Sequence, residues 1–281
     1  MKWEFEVQKT SVGLCGMLCT VVLAAAAHAQ VPCLSVNGIS SSKIEIMSDV
    51  PIQAEVQESI SFHPGTGKQE ARKLGRIVRD SAGRLRIETD IREGDQDANA
   101  TLQFPDGSRG QVPRNYLAAT IWIYDRTQFQ RIELSPGRLR AETSPFYAAA
   151  SGDPDIKLVC SDKNPQFRNY EINHAASRIT QEVLGMRNIE GHQALGVKQT
   201  TYRQQGQDWQ AIRETLFWYS TEFGIELRRI EKDLQTGMER QIEVISIERK
   251  EPEISQFAIP AGYHINPPAA ENPRIIEDPN P

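Results

Sequence analysis

Gly65-Thr66-Gly67-Lys68 has the ending of a phosphate-binding loop. That loop cradles phosphates on backbone N–H groups and needs a glycine five residues before the last one and Ser or Thr after the lysine. Phe62 and Gln69 occupy those positions, so the segment reads as a hairpin turn. His63, His174, His192 and His264 have no second His, Cys or carboxylate at the spacing of a zinc site. Asp95 and Asp97 lie near Glu93, but no glycine-anchored calcium loop follows. No serine sits in a G-x-S-x-G elbow, and none of the 37 acidic residues is marked out as half of a glycosidase pair. Asn99-Ala100-Thr101 is a glycosylation sequon by letter only. The sequence therefore points to no catalytic residues, metal or cofactor, and the chain reads as non-enzymatic.

Two other groups have a chemistry to offer. Cys33 and Cys160 are the cysteines left once Cys15 and Cys19 are assigned to the leader. In an oxidising compartment they form one disulfide; the other reading is two separate buried thiols. The aromatic residues concentrate at Trp122/Tyr124 and at Trp218-Tyr219. Trp122, Tyr124, Leu216 and Trp218 are the candidate ligand-binding set, the wall of an apolar groove. The alternative is that they are ordinary sheet core.

The elements that position these residues are strands. Ala54, Val56, Ile60 and Phe62 alternate with polar residues, as do Leu85, Ile87 and Ile91 with Arg84, Arg86, Glu88 and Asp90. Period two marks half-buried strands, with the charged set facing water. Asp80-Ser81-Ala82-Gly83 has turn chemistry, so residues 71–91 are a hairpin. Residues 92–118 are broken by Gly94, Pro105-Asp106-Gly107, Gly110 and Pro113 and read as irregular. Ile121 to Tyr124 is apolar on both faces, as a central strand is. A loop or linker is expected near 143–166. From Val197 onward turns at 204–208, 220–224 and 235–237 separate long β-prone runs, with a bulge at Arg228-Arg229. Helix is thin; only 165–184 could hold a turn or two, and a strand fits that segment as well. The fold class is mainly β, one curved antiparallel sheet in a half-barrel-like meander.

Lys and Arg number 32 against 37 Asp and Glu, a net charge of -5. This argues against a nucleic-acid partner, whose phosphates need an excess of positive charge. Val12 to Ala27 is an apolar run ending in Ala27-His28-Ala29, the layout of a signal peptide cleaved before Gln30. The run is shorter than the ~20 residues of a comfortable membrane span. Residues 1–29 are thus the signal, 30–265 a single β-rich domain, and 266–281 a disordered proline-rich tail. The expected location is periplasmic or secreted, with no integral membrane span after cleavage.

Three stretches carry a resemblance. Gly185-Met-Arg-Asn-Ile-Glu-Gly191 fits G-x-x-x-I-x-G, and Phe217-Trp-Tyr-Ser220 fits x-W-Y-S. Glu251-Pro-Glu-Ile-Ser-Gln-Phe-Ala-Ile-Pro-Ala-Gly-Tyr263 fits E-P-x-x-x-x-F-x-I-P-x-G-Y. With Gly75 to Glu88 and Ile123-Tyr-Asp125, these resemble a family of uncharacterised exported bacterial β-rich proteins across most of residues 50–265. At lower specificity the pattern is similar to LolA-like outer-membrane lipoprotein-sorting proteins. The resemblance implies a half-barrel whose concave apolar face holds acyl chains, an envelope protein binding a lipid-like or apolar group. It carries over no catalytic residues, and this chain has no clear helices to plug the half-barrel. The alternative is a structural or protein-interaction module with a filled core, whose partner is another envelope protein.

Overall fold

Strand formation follows the alternation almost everywhere it was legible. The computed structural model describes residues 34–37, 39, 43–62, 71–92, 98–145, 156–158, 169–174, 176–266 and 274–276. The expected signal peptide, Cys33, Cys160 and most of the expected 143–166 loop lie outside the described residues. All described residues fall in one compact unit, Pro32–Pro281.

In chain order, β1 (Leu34–Asn37), β2 (Lys43–Ile46) and β3 (Ile52–Phe62) precede the expected hairpin, β4 (Ala71–Arg79) and β5 (Leu85–Ile91). Its turn closes with Gly83 at φ 83° and the Arg84 amide donating to Asp80 Oδ1 at 2.7 Å. β6 (Asn99–Gln103) and β7 (Arg109–Pro113) come next, then a 3-10 turn, Arg114–Tyr116. β8 (Thr120–Asp125), β9 (Gln130–Ser135) and β10 (Arg140–Pro145) form a meander, and β11 (Ile156–Leu158) follows. The second half is β12 (Tyr170–His174), β13 (Ser177–Ile189), β14 (His192–Gln205), β15 (Asp208–Ser220), β16 (Ile225–Asp233) and β17 (Met238–Glu248). A 3-10 turn at Ile254–Phe257, then β18 (His264–Ile265) and β19 (Arg274–Ile276), complete the order.

Sixteen of these strands make one sheet with the path β12-β13-β14-β15-β16-β17-β3-β4-β5-β8-β9-β10-β18, and β1, β2 and β11 joined beside it. The sheet is curved, is not closed into a barrel, and is antiparallel except where β10 pairs β18 in parallel. The second-half meander is thus continuous with the hairpin β4–β5 through β3. A register shift opposite Trp218/Tyr219 leaves Leu227 as the extra residue, one position before the expected bulge. Residues 177–184 are strand rather than a turn of helix.

Two expectations are corrected. Residues 98–113 are ordered, not irregular: β6 and β7 pair with each other, and β6 with β19, in a separate three-stranded sheet. Pro105-Asp106-Gly107 is the turn of that hairpin, with Gly107 at φ 85° and Asp106 Oδ1 accepting from the Ser108 amide at 2.8 Å. Within the proline-rich segment expected to be a disordered tail, Arg274–Ile276 is a strand paired to β6. Two adjacent β-branched isoleucines suit that pairing.

Each face of the large sheet is covered by a different terminal segment. The first face carries Ile52, Ala54 and Val56 of β3, Ile77 of β4, Leu85 and Ile87 of β5, and Ile242 and Val244 of β17. Ile39, Ile44 and Ile46 pack on it and are almost wholly buried. β2 is tied down by the Glu45 amide donating to the Gly224 carbonyl at 2.7 Å. The second face, at β4, β5, β8, β9 and β10, carries Val78, Ile121, Ile123, Leu134 and Ala141, and Phe257 packs on it with Ile259 and Tyr263.

Gly75 lets the N-terminal segment reach the sheet. A Cβ there would overlap Ile39 Cδ1 and stand 2.9 Å from the Glu88 carbonyl oxygen. Gly75→Val is expected to cost about 1–3 kcal/mol through overpacking. Urea unfolding of the purified variant checks this. Unchanged stability would mean that Ile39 does not pack against β4 in solution.

Candidate functional site

The four residues of the expected groove belong to one extended cluster on the first face, but on strands six places apart in the sheet order, Trp122 and Tyr124 on β8 and Leu216 and Trp218 on β15. Tyr124 (4% exposed) and Trp218 (6%) belong to the core of the first face, and the half-buried Trp122 and Leu216 pack against it. They lie in the same cluster as Ile39, Ile44 and Ile46, so the chain's own N-terminal segment occupies the apolar face on which they stand. Phe217 and Tyr219 point into a separate cluster with Val197. That arrangement explains why β15 is apolar on both sides.

Two open spaces lie elsewhere, on the second face. A cavity of about 420 Å³ lies between the second face and the segment after β17, lined by Arg76, Arg86, Glu88, Tyr116, Gln256 and Tyr263 among others. A second, of about 480 Å³, is lined by Glu55, Gln57, Leu74, Arg76, Ile91, Asn115, Tyr116 and Ile245. The two share Arg76, Pro113 and Tyr116 in their walls.

The local sequence accounts for this cleft. In β5, Leu85 and Ile87 point to the first face, so Arg86 and Glu88 must point to the second. The expectation that this set faces water is corrected: Glu88 is 3% exposed. The Glu251-to-Tyr263 motif is what covers it. Glu251 accepts from the Ser81 amide at 3.2 Å and so anchors the segment on the β4–β5 turn. Arg84 stands over the Phe257 ring at 5.1 Å, and Arg86 Nη1 donates to the Gln256 carbonyl at 2.7 Å. The His264 amide then donates to the Leu139 carbonyl and starts β18.

Glu88 is the hub of the polar wall. Its Oε1 accepts from Arg86 Nε at 2.6 Å, and its Oε2 from the Tyr116 hydroxyl at 2.6 Å. Burial first, then the charge of Glu88, pushes the Tyr116 hydroxyl up to about 12; burial does the same to Tyr263. Burial works to lower the pKa of Arg76, but the nearby Glu88 charge and the Tyr116 hydrogen bond outweigh it and raise it. Arg76 therefore stays charged, and Tyr116 and Tyr263 stay protonated, near neutral pH. A carboxylate already engaged by two donors is a poor general base. Ser255 also lines the cleft, its Oγ donating to Glu253 Oε2 at a long 3.5 Å. Among the described residues no group of three or more His, Cys, Asp or Glu is placed to hold a metal. The arrangement is suited to holding a molecule with apolar and polar parts.

Sequence reasoning missed Arg76, Arg86, Glu88, Asn115, Tyr116 and Tyr263. The signal that could have found them is the 251–263 motif, whose prolines and aromatic residues mark a segment that packs rather than pairs. Among the described residues no helix is long and apolar enough to cross a membrane.

No family model matches the chain, and no curated protein matches it. Among solved structures, it is similar to an uncharacterized conserved protein from Thermus thermophilus, with a TM-score of 0.38 and 10% identity over 77% of this chain and 89% of that one. It is similar to a LolA superfamily protein from Nitrosomonas europaea, with a TM-score of 0.26 and 10% identity over 75% and 91%. A putative outer membrane lipoprotein-sorting protein domain from Vibrio parahaemolyticus has a TM-score of 0.25 and 8% identity over 74% and 89%.

Proposed function

We propose that this is an exported, non-catalytic envelope protein that holds a small amphiphile in the cleft on the second face of the sheet. The observation that carries this reading is the pair of cavities sharing Arg76, Pro113 and Tyr116. Their volumes lie in the ~300–1,000 Å³ range of small-molecule sites. Leu74, Ile91, Val112, Ile121 and Ile245 supply apolar wall beside the Arg76–Tyr116–Glu88 polar group. The test is native mass spectrometry of the protein purified from its own envelope. A co-purified amphiphile, lost on denaturation, is the expected result. A ligand-free protein that takes up no amphiphile on incubation would overturn the reading in favour of an interaction module.

A second reading keeps Trp122, Tyr124, Leu216 and Trp218 as the ligand wall. It is favoured by Trp218, whose indole N–H is buried with no hydrogen-bond partner among the described residues. On this reading a ligand takes the place of Ile39, Ile44 and Ile46.

We also propose that the mature chain starts at Gln30 and that Cys33 and Cys160 are bridged. The support is the pairing of β1 with β11, in which Leu34 lies opposite Leu158. These residues are one and two positions from the cysteines in sequence. The intact mass of exported protein is expected to lack residues 1–29 and two thiol hydrogens. Its unfolded, unreduced form should take up no thiol label. Reduction is expected to cost up to ~5 kcal/mol in the chain-entropy model, since so long a loop is closed. Two labelled thiols would refute the bridge.

A further inference from the structure

We propose that the larger cavity receives a zwitterionic head group, an anionic oxyacid and a primary ammonium a few atoms apart, with the apolar remainder on Leu74, Ile91 and Ile245. This rests on the reading of the cleft as an amphiphile site. Three polar groups of that cavity are left with capacity. Asn115 is 6% exposed, and its Oδ1 has no hydrogen-bond partner among the described residues. A buried acceptor without a donor is costly and calls for one. Arg76 meets the Tyr116 hydroxyl, while both Glu88 oxygens are already engaged by Arg86 and Tyr116. Among the described residues no carboxylate closes an ion pair with Arg76. Its remaining N–H groups form a fork suited to an oxyacid. Glu55 stands exposed on β3 in the wall of the same cavity and adds a negative charge.

These groups discriminate by charge. A purely anionic ligand suits Arg76 but is repelled by Glu55. A purely cationic one suits Glu55 but is repelled by Arg76. A zwitterion satisfies both, and its ammonium supplies the donor that Asn115 Oδ1 needs. A quaternary ammonium has no N–H and cannot. The chemistry is shared by a phosphoethanolamine lipid and by free phosphoethanolamine.

The test uses the full mature chain and calorimetric titration with dihexanoyl phosphatidylethanolamine, phosphatidylcholine and phosphatidylglycerol, each below its micelle concentration, and with free phosphoethanolamine. Phosphatidylethanolamine is expected to bind at least about tenfold tighter than the other two lipids. Arg76→Gln and Glu55→Gln are each expected to weaken it by about tenfold with thermal unfolding unchanged. Asn115 is buried, so its role is read from the wild type, in the preference for primary over quaternary ammonium. Free phosphoethanolamine binding as tightly as the lipid would assign the site to a soluble molecule; much weaker binding would assign it to the lipid. Equal affinity for all three lipids would overturn the head-group proposal and leave the amphiphile reading standing. Binding of none, with no co-purified amphiphile, would overturn both.

Discussion

Arg79→Met is expected to lower the unfolding free energy by about 3–5 kcal/mol and to loosen the N-terminal segment ahead of the rest of the sheet. Arg79 is fully buried, and its guanidinium is shared among three backbone carbonyls. Nε donates to Val50 at 3.0 Å, Nη1 to Glu45 at 2.6 Å and Nη2 to Phe223 at 2.7 Å. One side chain from β4 therefore holds β2 at Glu45, the β2–β3 connection at Val50 and the β15–β16 turn at Phe223. Burial pulls its pKa down to about 10, with Tyr219 and Glu45 opposing, so it stays charged at neutral pH. Methionine keeps much of the volume but leaves buried carbonyls unpaired, each costing roughly 1–3 kcal/mol. Lysine keeps the charge but not the fork, and is expected to recover only part of the loss. Urea unfolding gives the stability, and hydrogen exchange at residues 44–50 gives the location. A loss below about 1 kcal/mol would mean that the segment is not clamped by Arg79.

The second large effect is at Trp218. Trp218→Ala is expected to cost about 3–5 kcal/mol, the range for removing a large aromatic side chain from a packed core. The indole is 6% exposed and lies opposite Gly196 in the β14–β15 register. A Cβ on Gly196 would stand 3.1 Å from Trp218 Nε1, so the glycine provides the space for the ring. Against a typical total of 5–15 kcal/mol this is a large share of the stability. The same variant separates the two readings of the first face. A full stability loss with unchanged amphiphile uptake assigns Trp218 to the core. A loss under about 1 kcal/mol together with lost uptake assigns it to a ligand wall.

The elements of this protein are written locally, and their covering is not. Alternation at 54–62 and 84–91, and turn chemistry at 80–83, 204–208, 220–224 and 235–237, lead to strands β3 to β5 and β14 to β17 because both signals act within a few residues. Charged residues misled where burial came from far along the chain. Arg86 and Glu88 alternate with Leu85 and Ile87 as a wet face does, yet Tyr116 and Gln256 close over them. Glu58 shares a face with Ala54 and Val56 and is 6% exposed, paired with Arg240 from β17. Pro105-Asp106-Gly107 was legible only as a break in the pattern, not as the turn of a second sheet, because β6 takes its other partner from residues 274–276.

The strands β3 to β5, β8 and β14 to β17, their turns and the shared side of Leu216 and Trp218 are readable from neighbouring residues, since they depend on period two and on which residues tolerate a left-handed backbone. What each face meets, and the small sheet of β6, β7 and β19, depend on segments far apart in the chain. Residues 39–50 cover the face with the tryptophans, and residues 251–263 roof the face with Arg76, Arg86 and Glu88. The reason is physical: alternation distinguishes two faces of a strand, but burial is set by segments that arrive from the two ends of the chain.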